Sequence, residues 1–138
     1  MPIPRPRPAA PARHGAAAVE FAIVAPIFFL LVMGSLEFAR LNVIRHTADQ
    51  AAYEAARHAM VPGATAAEAR SKANSLMRIV GARGTTVTIN PTPITPDVKE
   101  ITVSVDVPMN QNGWITPKFT STTTIRGTSR LRTERPEK

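Results

Sequence analysis

The stretch GAAAVEFAIVAPIFFLLVMGSL, Gly15 to Leu36, restricts this chain more than any other. After Gly15 come 21 residues, Ala16 to Leu36, that hold one charge, Glu20, and one proline, Pro26. At about 1.5 Å per helical residue they cover roughly 30 Å, the thickness of a bilayer's hydrocarbon core. The segment is therefore expected to cross a membrane as a helix. Pro26 removes one backbone donor and crowds the Ala22 carbonyl, so a kink or loosening is expected there. Neighbouring helices would then have to cover the freed carbonyl. Prolines are also common in membrane helices without such a role. Ala16 to Ala18, Ala22, Ala25, Gly34 and Ser35 are small enough to let other helices approach closely.

The flanks of this segment differ in charge. Residues 1 to 14, MPIPRPRPAAPARH, combine five prolines with three arginines and read as an extended, disordered leader. Positive residues before a first membrane segment stay in the cytoplasm, while the other flank places Glu37 ahead of Arg40 and Arg45. The expected topology is N-terminus cytoplasmic and C-terminal part extracytoplasmic. A secretory signal peptide shows the same order of basic region and apolar core, but its core runs to only about 7 to 15 residues. Here the best small-residue site, Val32-Met33-Gly34, lies deep inside the apolar run, and no Ala-x-Ala follows. An uncleaved single-pass anchor stays open as a further alternative.

Within the apolar run, Glu20 calls for a reason. A charged group at the centre of a membrane helix costs on the order of 2.5 to 3.5 kcal/mol on insertion scales. Glu20 stands five residues after Gly15, with three alanines and a valine between them. The wording GAAAVEF resembles the processing site of type IV prepilins and pseudopilins, and AVEFAIVAP most resembles the TadE-like family of small pseudopilins in Tad-type (type IVc) pilus systems. The resemblance runs from Gly15 to about Met60. It implies a minor pilin, not an enzyme, cut by a membrane prepilin peptidase between Gly15 and Ala16 and taking part in assembly of a Tad pilus for surface adhesion. It further implies that Glu20 pairs with the new α-amine of a neighbouring subunit. Its partners would be the peptidase, other pilins or pseudopilins, Tad inner-membrane assembly proteins and membrane lipid, with the protein in the bacterial inner membrane or incorporated into the pilus. Two departures from the family wording are Phe21, where tyrosine often follows the glutamate, and the proline-rich leader. From the residues alone, Glu20 could equally snorkel to the cytoplasmic interface, being near the start of the segment.

Beyond Leu36 the apolar pattern narrows to a stripe. Phe38, Leu41, Ile44, Ala48, Ala51 or Ala52, Ala55 and Ala59 recur at spacings of three and four, with Arg40, Arg45, Asp49, Glu54, Arg57 and His58 between them. One helix is expected from Ala16 to about Met60, ended by Pro62-Gly63. A second opens with a capping box, Thr65 with Glu68 three later, and runs through Ala69, Ala73, Leu76, Met77 and Val80 to Gly81. The period then changes to two. Val87 and Ile89 mark one strand, and Ile101, Val103, Val105 and Val107 a second, joined by the stiff exposed connection NPTPITPDV. A third, weaker strand is expected from Phe119 to Arg126, its residues 120 to 124 forming a polar face, and a charged, frayed tail from Gly127 on. The fold class is α+β: a long N-terminal transmembrane helix continuing into a small extracytoplasmic module of two helices and about three antiparallel strands, the general plan of pilins. The expected divisions are a leader over 1–15, a membrane helix over 16–37, the module over 38–128 and a tail over 129–138.

Composition narrows the function classes. With 138 residues, about 21 of them in lipid, one small domain is left outside the membrane, too little for a large enzyme. There are no cysteines, so disulfides, thiolate metal sites and thiol nucleophiles are excluded. The net charge of +7 falls once the leader is set aside, because residues beyond 15 hold 14 Lys+Arg against 10 Asp+Glu, or +4. With Tyr53 and Trp114 the only aromatics besides phenylalanine, nucleic-acid binding is not expected. His14, His46 and His58 show no ligand spacing; the latter two stand 12 apart, about 120° around a helix, and are expected to face solvent. No phosphate loop, nucleophile motif or cofactor site is present. Trp114, in MNQNGWITP, is expected to pack in the core, with a partner contact as the alternative. Besides the pseudopilin and the anchored binding module, a signal-peptidase-released module and a small hydrolase complete the alternatives.

Overall fold

The computed structural model describes residues 14–95, 97–114 and 119–132. Residues 1–13 of the expected leader and 133–138 of the expected tail lie outside them. The chain falls into two units, Met1–Met33 and Gly34–Lys138. The first helix, α1 (His14–Ala59), belongs to both and continues through Pro26. Its ends agree with the sequence reading to within two residues, the ordinary uncertainty of a helix boundary.

In the second unit, α1 buries one face. Glu37, Arg40, Ile44, Ala48, Ala51, Ala52, Ala55, Ala56 and Ala59 are buried along it, whereas Phe38, expected on this stripe, is exposed. From Ala48 to Ala59 the buried residues of this face are all alanine, so whatever packs there comes close to the backbone. The helix ends where Pro62 can no longer supply an N–H and Gly63 takes φ +85°. The second helix, α2 (Ala66–Ile79), starts as the sequence indicates: Glu68 N–H donates to Thr65 Oγ1 (3.2 Å) while Thr65 N–H donates to Glu68 Oε2 (2.9 Å). It buries Ala69, Ala73 and Met77. A Schellman motif closes it, with Gly81 N–H donating to Arg78 O (2.9 Å), Ala82 N–H to Met77 O (3.0 Å), and Gly81 at φ +65°.

Three strands follow, β1 (Thr86–Asn90), β2 (Glu100–Pro108) and β3 (Thr124–Arg132), antiparallel and in sheet order β1-β2-β3. Register places Val87, Val105 and Gly127 in one inward row and Ile89, Val103 and Ser129 in the next. On the outer face Asp106 lies opposite Arg126 and binds it in two hydrogen bonds (2.6 and 3.1 Å), and Arg130 pairs with Glu100. Ser104 and Thr128 meet between them. The sheet is thus apolar toward the helices and polar outside, as alternation requires. In the connection from β1 to β2, expected to be exposed, Ile94 and Val98 tuck against the core.

The third strand is displaced from the sequence reading. It starts at Thr124 and includes Gly127 to Arg132, which were expected to fray, while 119–122 form turns. The physical reason is Gly127. A Cβ built there would lie 2.4 to 2.6 Å from the Ala48 carbonyl and the Asp49 nitrogen, all backbone atoms of α1. The strand lacks a bulky residue at this inward position because the helix occupies the space.

Two expectations follow. Gly127→Ala must push strand and helix apart and is expected to cost about 1 to 3 kcal/mol, read as a lowered midpoint in thermal or urea unfolding of the detergent-solubilised chain. The Glu68 carboxyl is held below its usual pKa, first by the Thr65 backbone N–H and then by the Thr65 side chain. Its stabilising contribution is present above the ordinary carboxylate range and disappears as pH falls through the lowered folded value. The stability gap between the native chain and Glu68→Gln should therefore close on acidification; a gap unchanged down to strongly acidic pH would contradict this.

Candidate functional site

The first unit carries the residues singled out from the sequence. Gly15 is the second residue of α1, and a Cβ built on it meets nothing within 4 Å. A first-turn glycine is the residue whose backbone unwinds most readily. Ala16 and Glu20 follow, both exposed and four residues apart, on one face of the helix. Side chains on a helix lean toward its N-terminus, so the Glu20 carboxylate points toward the turn that contains Ala16.

The apolar residues around them are exposed. Val19, Phe21, Ile23, Val24, Ile27, Phe28, Phe29, Leu30 and Leu31 are all more than half exposed. Phe28 and Phe29 touch edge to face, 5.7 Å between centroids, and bury little by doing so. A helix apolar and exposed all round is what a membrane span looks like outside its bilayer. Among the described residues this is the one helix long and apolar enough to cross a membrane. Pro26 sits within it without interrupting the helix.

At the other end of the apolar run, two charged residues that sequence periodicity did not place are buried. Arg40, expected among the water-facing residues, lies on the buried face one turn before Ile44. Its Nε donates to Asn112 O (2.8 Å) and its Nη2 to Val80 O (2.8 Å), the latter at the C-cap of α2. Burial lowers the Arg40 pKa, from a value so high that the guanidinium keeps its charge. Glu37 is buried as well, and its Oε2 accepts from Phe119 N–H (2.9 Å). These two side chains hold the loop between β2 and β3 near both of its ends.

Asn112 fixes the same loop from within. Its Oδ1 accepts from Arg83 N–H (2.7 Å), and its Nδ2 donates to Arg83 O (2.8 Å) and Pro108 O (2.7 Å). The side-chain amide thus pairs with Arg83 as a neighbouring strand's backbone would. Trp114 is not in the core: it is 58% exposed and lies against Arg40, whose Cζ is 5.6 Å from the ring centroid. Phe119 is likewise 56% exposed, with its ring edge 3.6 Å from a Cβ built on Gly34. The turn residues Asn110 to Gly113 were the only signal in the sequence for this arrangement.

His46 is exposed and His58 half-buried on α1, and the His14 side chain is outside the described set. Among the described residues no three His, Asp or Glu side chains gather as metal ligands. The cleft between the Val61–Ala66 turn and Thr92–Thr95 is lined by no ionisable side chain.

In a comparison with known proteins, the family model described as TadE-like protein matches residues 15–57. That span begins at Gly15, contains Glu20, Pro26, Glu37 and Arg40, and ends just before the close of α1. It agrees with the resemblance carried by GAAAVEF. No curated protein and no solved structure matches the chain.

Replacing Asn112 by alanine leaves the Arg83 N–H and the Arg83 and Pro108 carbonyls without their side-chain partner. The expected loss is about 2 to 4 kcal/mol in chemical denaturation, against less than about 0.5 kcal/mol for Asn110→Ala at an exposed neighbour.

Proposed function

We propose that this chain is a TadE-like pseudopilin, a minor pilin cut between Gly15 and Ala16 and working in the assembly of a Tad-type pilus used for surface adhesion. The observation that carries the reading is the glycine at the helix start followed by Glu20 in an otherwise uncharged apolar run, inside the 15–57 match to the TadE-like family. In this reading Ala16 to Leu36 lie in the bacterial inner membrane, the basic leader is cytoplasmic, and the module beyond is extracytoplasmic. The role is structural, and the chain is the substrate of a prepilin peptidase.

The chemistry is consistent at each step. Gly15 offers the peptidase a carbonyl without a side chain beside it and a backbone that leaves the helix at low cost. Cleavage gives Ala16 an α-amine with a free pKa of about 8, mostly charged at neutral pH. That amine and the Glu20 carboxylate can neutralise one another between adjacent subunits, where the low-dielectric surroundings make an unpaired charge expensive. Such a pair sets the register of one helix against the next. The small residues of the apolar segment permit the close approach, and neighbouring helices cover the carbonyl that Pro26 leaves free. The partners are other pilins or pseudopilins and the Tad inner-membrane proteins.

The test is the N-terminal sequence of the membrane-extracted protein from its native host, by peptide mass spectrometry, beside a variant with a bulky residue at position 15. A start at Ala16 that vanishes in the variant supports processing. A terminus still carrying the leader, in a host with an active prepilin peptidase, leaves an anchored module instead.

A further inference from the structure

Every aromatic side chain beyond the apolar segment is exposed: Phe38 (56%), Tyr53 (45%), Trp114 (58%) and Phe119 (56%). The core is filled by alanine, valine, isoleucine and methionine. Three of the four belong to residues placed where α1 leaves the apolar run: Phe38 on the helix itself, Phe119 beside Gly34 and Trp114 beside Arg40. Exposed aromatic rings at one end of a small domain call for a cover.

We propose that Trp114 and Phe119 form a foot that seats the module in the boundary of the lipid bilayer, Phe119 at the level of the upper acyl chains and Trp114 among the headgroups. The proposal rests on reading Ala16 to Leu36 as a membrane span. Given that, depth follows from contacts inside the second unit. Phe119 lies against Gly34, two residues inside the apolar run's end at Leu36, so a bilayer that covers the run to Leu36 reaches the Phe119 ring. Trp114 lies against Arg40, six residues or about 9 Å further along the helix. The headgroup layer adds roughly 5 to 8 Å beyond the hydrocarbon on each side, which puts Trp114 in it. An indole, with an apolar body and one polar N–H, is suited to that layer, and a phenyl ring to the apolar one beneath.

The polar groups nearby are arranged to permit this. Glu37 and Arg40, which would otherwise bring charge to the bilayer surface, are turned inward onto Phe119 N–H, Asn112 O and Val80 O. The same bonds hold the loop at the height where its rings meet lipid. The two charges at the helix exit thus anchor the foot, together with Asn112, whose side chain ties the loop to Arg83 and Pro108.

Trp114 is the only tryptophan, so the full chain reports on itself. Reconstituted in phosphatidylcholine vesicles, it should float with them and show blue-shifted emission. Lipid brominated near the glycerol end should quench it more than lipid brominated at mid-chain, and aqueous iodide should reach it poorly. In the double variant Trp114→Phe/Phe119→Trp the preference should shift toward the deeper bromines. Protein that fails to float overturns the span and the foot together. Protein that floats with Trp114 open to iodide and untouched by brominated lipid overturns the foot alone. Emission shielded from both quenchers would place another copy of the chain over the patch, and also overturns the proposal.

Discussion

The distance at which a sheet can lie on a helix decides the architecture beyond Gly34. Gly127 presents no side chain to α1, and the α1 backbone at Ala48 and Asp49 fills the place a Cβ would take. That approach is possible because the helix face is alanine from Ala48 to Ala59, so both elements meet as nearly bare backbone. The larger residues then come from the sheet, with Ile101, Val103, Val105 and Val107 on its central strand. A module this small has few side chains with which to exclude water. Close approach allows it to do so without aromatic residues in its interior.

The single helix α1 answers to two solvents. Up to Leu36 it is apolar on all sides, and from Ile44 onward it is apolar on one. Between these regimes stand Glu37 and Arg40, buried and satisfied by backbone groups of Asn112 and Phe119 and by the end of α2. Buried charges add little net stability, but losing a partner is costly, and that penalty gives such contacts their specificity. The helix exit is accordingly the place where loop, second helix and first helix are held in one arrangement.

How much of this could be read from the amino acids depends on the range of the interaction concerned. The capping box of α2 spans Thr65 to Glu68 and was legible, as were the alternation of β2 and the alanine stripe. The third strand was misplaced by several residues because its inward positions, Ile125, Gly127, Ser129 and Leu131, weaken the apolar alternation just where the helix comes nearest. Gly127 inside a strand-forming stretch was the available hint. Trp114 was expected inside and is outside. The buried polar cluster was not legible at all, since its bonds join residues 40, 72 and 82 positions apart. Gly15, Ala16, Glu20 and Pro26 stand in the sequence as a short-range pattern within α1, and the roles proposed for them lie in contacts with other molecules.

The strand order carries a kinetic corollary. Strands that neighbour one another in sequence also neighbour one another in the sheet, so each pairing closes only the loop between them. Helix α1 is different: its residue 48 meets residue 127, beyond both of the other strands. Loop-closure entropy grows slowly with length, and this contact costs roughly 1.5 kcal/mol more to close than the β2–β3 hairpin. The sheet can therefore form as a local meander, while the part of the α1 face at Ala48 waits for its partner until the last strand has been synthesised. For a growing chain, the element made first is completed last.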